Sequence, residues 1–415
     1  MALQEKKIMP PPWLAHREIE RYSIGWRMGY GEDYIYRFGD WLDTLSPDER
    51  TEYRTLFPEP VTWKGWWDDE DSSEVLEHGD FLVDAWQPEG QPKYTRQWLQ
   101  QEFAAGRKRE LCLFWGHQLS EDGQLTKSCL SQWWMEDFWS IANTYLCMEQ
   151  YMMAAKAELF GDSEIQEQIL KCSDPKQIKA LGRKVRGFDQ KVWDKFKYAI
   201  VLNGNWCKFS QNRNLREFLL STGDSVLVEA SPYDNIWGIR LAASSPEAQD
   251  PMKWRGQNLL GFALMEVRDE LRRVTQNEML CDWNAVRGKM MELFAKRMTW
   301  ELDNEEGLSC LSFELEDGYF TLSRKTGAEA LRLEMNDPAN GQLIDPDCFE
   351  YALDNTRFRL NIVRNNRKVL RYLEEHHINT ELYGEIVLHY TPLSKPQLET
   401  LSAVTLRLFF GELLF

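Results

Sequence analysis

The run Met148-Glu-Gln-Tyr-Met-Met-Ala-Ala-Lys-Ala157 constrains the fold of this chain more than any other segment. Glu149 and Lys156 stand seven residues apart. Seven residues at 3.6 per turn return almost to the starting azimuth, so the spacing predicts both charges on one face of one helix. Charges at i,i+7 are common on solvated helices. Here the remaining residues (Tyr151, Met152, Met153, Ala154, Ala155, Ala157) are apolar, which argues against a simply solvated face. A carboxylate beside an amine can do glycosidic chemistry, one group moving protons and the other attacking a sugar carbon.

At 415 residues the chain is long enough for two or three domains, and its 43% hydrophobic content supplies sizeable cores. Sixteen of the 18 tryptophans precede residue 255, more than a ring-lined binding cleft needs, so most are read as core. The net charge of −17 argues against a broad footprint on a polyanion and leaves room for a local phosphate pocket. The eight cysteines form no CxxC pair and the six histidines no ligand cluster, so reduced thiols, no metal and a cytoplasmic location are expected. No window reads as a signal peptide or a bilayer-spanning segment, so no membrane partner is expected.

Three regions are expected. Residues 1–108 form an aromatic and acidic accessory region, with an extended Pro10-Pro-Pro12 and a helix start at Ser46-Pro-Asp-Glu49. Residues 109–275 form a central domain: a short strand at Leu111–Gly116, a turn at Glu121–Gln124, helices near 140–160, 163–171, 175–183 and 189–202, a strand at Leu227–Glu229, and a closing helix from Leu259 to Arg272. Residues 276–415 form a separate α+β domain, with a helical stripe from Trp283 to Phe294, alternating strands around Leu311–Leu315, Leu331–Leu333 and Glu385–Tyr390, a turn at Asp337–Gly341, and a basic run from Arg357 to Arg371. That run is either a solvated face or a contact for an anionic partner.

The central motifs occur in a specific order. After Glu149-Gln-Tyr-Met-Met come Lys179-Ala-Leu-Gly-Arg183, Phe188-Asp189, Trp193, Lys208-Phe-Ser-Gln-Asn212, Glu229-Ala-Ser-Pro-Tyr-Asp-Asn-Ile-Trp-Gly238 and Asn258-Leu-Leu-Gly261. In this register the chain resembles the NADAR superfamily of YbiA-like N-glycosidases over about residues 109–275. The resemblance implies an α+β fold, a mainly helical YbiA-like domain with a small sheet, and hydrolysis of an N-glycosidic bond at ribose C1′ with no cofactor. It implies Glu149 as acid/base, Lys156 as an amine able to attack C1′, and Asp234 as a group that binds ribose hydroxyls or orients Lys156. It brings Trp115, Gly116, Trp133, Arg183, Trp193, Trp237, Gly238 and Asn258 to the substrate. Arg183 suits a phosphate; Trp237 suits a base.

Two departures stand out. Gln132 replaces the family's asparagine, and Arg240 replaces a glycine, which removes an easy positive φ and adds a cation. The resemblance implies a nucleotide-type small-molecule substrate, ADP-ribosylated guanine first, either free or in single-stranded nucleic acid. The alternatives are phosphorylated riboflavin-pathway intermediates, or a non-catalytic sensor of NAD-derived nucleotides. The outer regions are candidates for a protein partner.

Overall fold

The computed structural model describes residues 7–27, 30–67, 78–117, 125–140 and 143–287, together with the backbone of seven strands between 308 and 389. The turn expected at 121–124, the end of the stripe before Phe294, the turn at 337–341 and the basic run beyond Leu360 lie outside the described residues. The chain divides into two units, residues 1–282 and 283–415.

The first unit is mainly helical. Its opening helices are α1 (Pro12–Ala15), α2 (Tyr30–Asp43), α3 (Pro47–Leu56), α4 (His78–Trp86) and α5 (Arg96–Ala104). α3 starts as its sequence predicts: Ser46 accepts from the Glu49 amide while the Glu49 side chain accepts from the Ser46 amide, a closed capping box with Pro47 in the first turn. Trp13 packs edge-on against Trp63, Trp66 and Trp67, so these aromatics serve as core.

β1 (Leu111–Phe114) follows, then a hairpin of β2 (Phe138–Ser140) and β3 (Asn143–Tyr145). The helix expected from about residue 140 begins only at Met148, because residues 143–145 pair with 138–140 as strand. α6 (Met148–Leu159) is buried, with α7 (Ser163–Leu170), α8 (Pro175–Gly182) and α9 (Gln190–Gln211) packed against it, and α10 (Arg213–Ser221) packs on α9. Glycines set the distances. A Cβ on Gly182 would come within 2.0 Å of Met153 Sδ, and one on Gly204 within 2.4 Å of the Tyr151 ring, so α8 and α9 lie directly against α6. β4 (Val226–Glu229) pairs in parallel with β1, and α11 (Leu259–Thr275) covers the pair.

Residues before 108 belong to this same unit and clamp α11. The Lys93 amide donates to Glu266, the Tyr94 hydroxyl donates to Asp269, the Val61 amide donates to Glu270, and Arg273 donates to the Glu59 carbonyl; Glu266 also accepts from the Tyr198 hydroxyl of α9.

The second unit contains one antiparallel sheet of β5 (Leu308–Leu315), β6 (Gly318–Lys325), β7 (Ala330–Asn336), β8 (Phe349–Asp354), β9 (Arg357–Leu360), β10 (Thr380–Leu382) and β11 (Ile386–His389), in the order β10-β11-β9-β8-β7-β6-β5. Among the described residues, no helix is long and apolar enough to cross a membrane, and no group of three His, Cys, Asp or Glu could hold a metal ion.

Candidate active site

The site assembles where several segments end. β1 and β4 run parallel and finish side by side, Phe114 opposite Glu229. Beyond β1, Gly116 turns the chain at φ +85°, and Trp115 stays 57% exposed. Beyond β4 comes the Ser231–Gly238 loop. The first turn of α6 supplies Glu149, and the last turns of α8 supply Lys179 and Arg183.

Glu149 is 2% exposed. Burial pushes its carboxyl pKa up. Lys179, the Trp133 indole and Arg183 act the other way, and Asp234 adds to the rise. The indole N–H of Trp133 donates to Glu149 Oε2 at 3.2 Å. Glu149 Oε1 has no hydrogen-bond partner among the described residues, and the same holds for the sealed atoms Gln132 Oε1 and Glu229 Oε2. Three unsatisfied buried acceptors in one neighbourhood are costly unless a ligand or water supplies donors. The Gln132 carbonyl accepts from the Glu149 amide at 2.9 Å, so the two side chains are fixed to one another through the backbone.

Lys179 is the cation that acts most strongly on Glu149, ahead of Arg183. It lies over the Trp133 ring, 5.6 Å from its centroid, and lowers the carboxyl pKa of both Glu149 and Glu229. It was not singled out from the sequence. The available signal was its i,i+4 spacing from Arg183, which puts both cations on one face of α8. Arg183 is exposed, with no ion pair among the described residues.

Lys156 has other neighbours. Its ammonium donates to the Gly182 carbonyl at 2.9 Å and lies over Phe188 and Trp193, 4.2 and 5.7 Å from their centroids. It makes no ion pair among the described residues. The expected contact of Lys156 with Glu149 is therefore not formed. A common azimuth says nothing of axial distance, and seven residues rise about 10 Å along a helix. Burial lowers the Lys156 pKa, which favours the neutral amine. Trp193 belongs with Lys156 in this structure.

The Ser231–Gly238 loop uses its polar groups on itself. Asp234 Oδ1 accepts from the Ile236 and Trp237 amides at 2.8 and 2.7 Å, so one carboxylate oxygen caps the turn while its charge still reaches Glu149 and Glu229. Gly238 is a packing residue, since a Cβ there would come within 2.8 Å of the Glu229 carbonyl. Asn258 is wholly buried in left-handed backbone (φ +58°). Its amide donates to the Leu227 carbonyl and its oxygen accepts from the Glu229 amide, each at 2.9 Å. Gly238 and Asn258 thus hold the end of β4, for Asn258 the loop-fixing role that the resemblance allows beside a substrate contact. Trp237 is half-buried. Arg240 takes φ +55° despite its side chain, so the turn survives the loss of glycine.

Lys208 is a further buried cation that sequence reading gave no role. It donates to the Cys129 and Ser131 carbonyls at 2.7 and 3.1 Å, which anchors the segment carrying Gln132 and Trp133, and burial lowers its pKa to about 8.

Comparison with known proteins gives a consistent result. The NADAR domain family model matches residues 113–272. "N-glycosidase R617" of Acanthamoeba polyphaga mimivirus is 48% identical over 145 residues, 34% of this chain and 85% of that protein. "Protein irg-1" of Caenorhabditis elegans is 43% identical over 129 residues, 31% of this chain and 61% of that protein. "N-glycosidase Npun_R5314" of Nostoc punctiforme is 34% identical over 135 residues, 32% of this chain and 80% of that protein. These matches span about a third of the chain.

Proposed function

The chain belongs to the NADAR family, and from that membership together with the buried Glu149 site we propose that it hydrolyses the C1′–N bond of an ADP-ribosyl conjugate, ADP-ribosylated guanine foremost. The coarser activity is that of its relatives named N-glycosidase, a hydrolase of N-glycosyl bonds.

The observation that carries the reading is the carboxylate of Glu149. It is sealed from solvent, held through one oxygen by Trp133 and left with the other unpartnered among the described residues. Breaking an N-glycosidic bond builds positive charge on C1′ and the ring oxygen. A carboxylate that water does not screen stabilises that charge strongly, and it can take the proton of an attacking water. Lys179 and Arg183 offer positive charge for phosphate oxygens. Trp115, Trp133 and Trp237 offer ring faces for a base. Lys156, as an attacking amine, belongs to a covalent variant of the scheme and would first have to leave the Gly182 carbonyl.

The test is incubation of the full chain with ADP-ribosyl-guanine, with phosphorylated riboflavin intermediates and with NAD, read by mass spectrometry. Release of free guanine product with ADP-ribose supports the proposal. Turnover of the riboflavin intermediates alone would reassign the substrate, and binding without turnover that is unchanged by Glu149→Gln would make the protein a sensor.

A further inference from the structure

Glu229 closes β4 directly across from the end of β1. Its position is over-determined. The Asn258 side chain accepts from its amide, the Ile239 amide donates to its carbonyl at 2.9 Å, and the nearby Gly238 leaves no room for a Cβ. Its carboxyl, by contrast, makes no hydrogen bond among the described residues, and Oε2 is sealed from solvent. A carboxyl on a rigid strand end, held by its backbone and left free at its tip, is unexpected for a structural residue, which would use its oxygens.

The charged groups that act on it are Asp234 in the loop, Lys179 on α8 and Glu149 on α6. Two of the three are anions, so ionising Glu229 would place a third negative charge in the same site. Glu149 is better provided for as an anion: it has the Trp133 N–H, the Lys179 and Arg183 charges, and the first turn of α6, where the helix dipole favours negative charge. Two carboxyls in unequal surroundings divide into an acid and a base.

We propose that Glu229 is the general acid of the reaction, the group that protonates the departing nitrogen, while Glu149 works as the anion. This rests on the N-glycosidase reading above. In the step, the C1′–N bond breaks and its electron pair stays with nitrogen. The Glu229 proton moves to that nitrogen. Water adds its oxygen to C1′ and gives a proton to Glu149. Loss of that proton to solvent and uptake of one by Glu229 restore the starting state. Burial, reinforced by the Asp234 charge and opposed by Lys179, raises the Glu229 pKa to about 8, which keeps the acid protonated at neutral pH.

The deciding experiment is the pH dependence of kcat/KM for the full chain, wild type, Glu229→Gln and Glu229→Asp, on ADP-ribosyl-guanine. Wild type is expected to lose activity above about pH 8 as the acid ionises. Glu229→Gln, which has no proton to give, is expected to fall by roughly 10²–10⁴ and to lose that alkaline limb. Glu229→Asp is expected to keep the limb at reduced rate. A wild-type profile flat from pH 6 to 10 would overturn the assignment without any variant. So would a folded Glu229→Gln protein with wild-type rate and an unchanged limb while Glu149→Gln is inactive. Absence of turnover of ADP-ribosyl-guanine by wild type itself would instead refute the substrate assignment on which this test stands.

Discussion

Glu149 is pulled two ways by its surroundings. Removal from water raises its proton affinity, while the Trp133 N–H, Lys179 and Arg183 lower it. The account needs the anion. Glu149→Gln should therefore fold normally and lose roughly 10²–10⁴ in kcat, measured against circular dichroism as the folding control. The two lysines separate cleanly at this scale. Lys179→Met should cut kcat/KM by at least about tenfold, because it removes a cation that supports the Glu149 anion and offers charge to a substrate phosphate. Lys156→Met should chiefly cost stability, on the order of 1–2 kcal/mol for the cation–π contacts and one hydrogen bond. Thermal melts and steady-state rates on both variants check the contrast, and equal kinetic losses would return Lys156 to the chemistry. Glu149 stands out in the sequence as the carboxylate of the Glu-Gln-Tyr-Met-Met motif, ahead of the apolar run Tyr151–Ala155. The Lys156 pairing misled because azimuth was read without rise.

At the scale of elements, the site depends on fixing the end of β4. Asn258→Ala removes two buried hydrogen bonds to that strand and leaves a Cβ residue at φ +58°. The expected cost is about 3 kcal/mol, visible as a lowered Tm and urea midpoint. Arg240→Gly relieves the other left-handed residue and should be neutral to stabilising by up to about 1 kcal/mol. The helices α7 and α8 lie where the hydrophobic spacing places them, and Asp162 and Asp174 both accept from backbone amides as N-caps. The β2–β3 hairpin was not, because three-residue strands carry too little alternation to outweigh the helix that follows. The packing role of Gly238 was equally hidden, since a close approach of backbone to the Glu229 carbonyl leaves no trace in the sequence pattern.

Across the whole molecule, the accessory helices are tied to the site-bearing core through acids on α11. Glu266 lies at the centre of that seam. Burial raises its pKa to about 7, against the pull of the Tyr198 hydroxyl and the Tyr94 and Lys93 amides. A carboxyl with a raised folded pKa takes up a proton on folding. Its stabilisation is complete below the unfolded pKa near 4.5 and is lost as pH rises through about 7. The Glu229 rise, to about 8, works in the same direction. Tm should therefore fall between pH 5 and pH 8.5, and Glu266→Gln should flatten the decline, by at most about 3 kcal/mol from this group. An unchanged slope would mean the seam is hydrated. The seam itself could not be read from composition, since surplus tryptophans indicate packing without indicating against what.

On the function proposed above, the sealed carboxylate at the start of α6 drives cleavage of a C1′–N bond. The most direct measurement is single-turnover release of ADP-ribose from ADP-ribosyl-guanine by an excess of the 415-residue chain, wild type beside Glu149→Gln. The account predicts complete conversion by wild type and a rate constant at least about a hundredfold lower in the variant. Equal rate constants for the two proteins would contradict it.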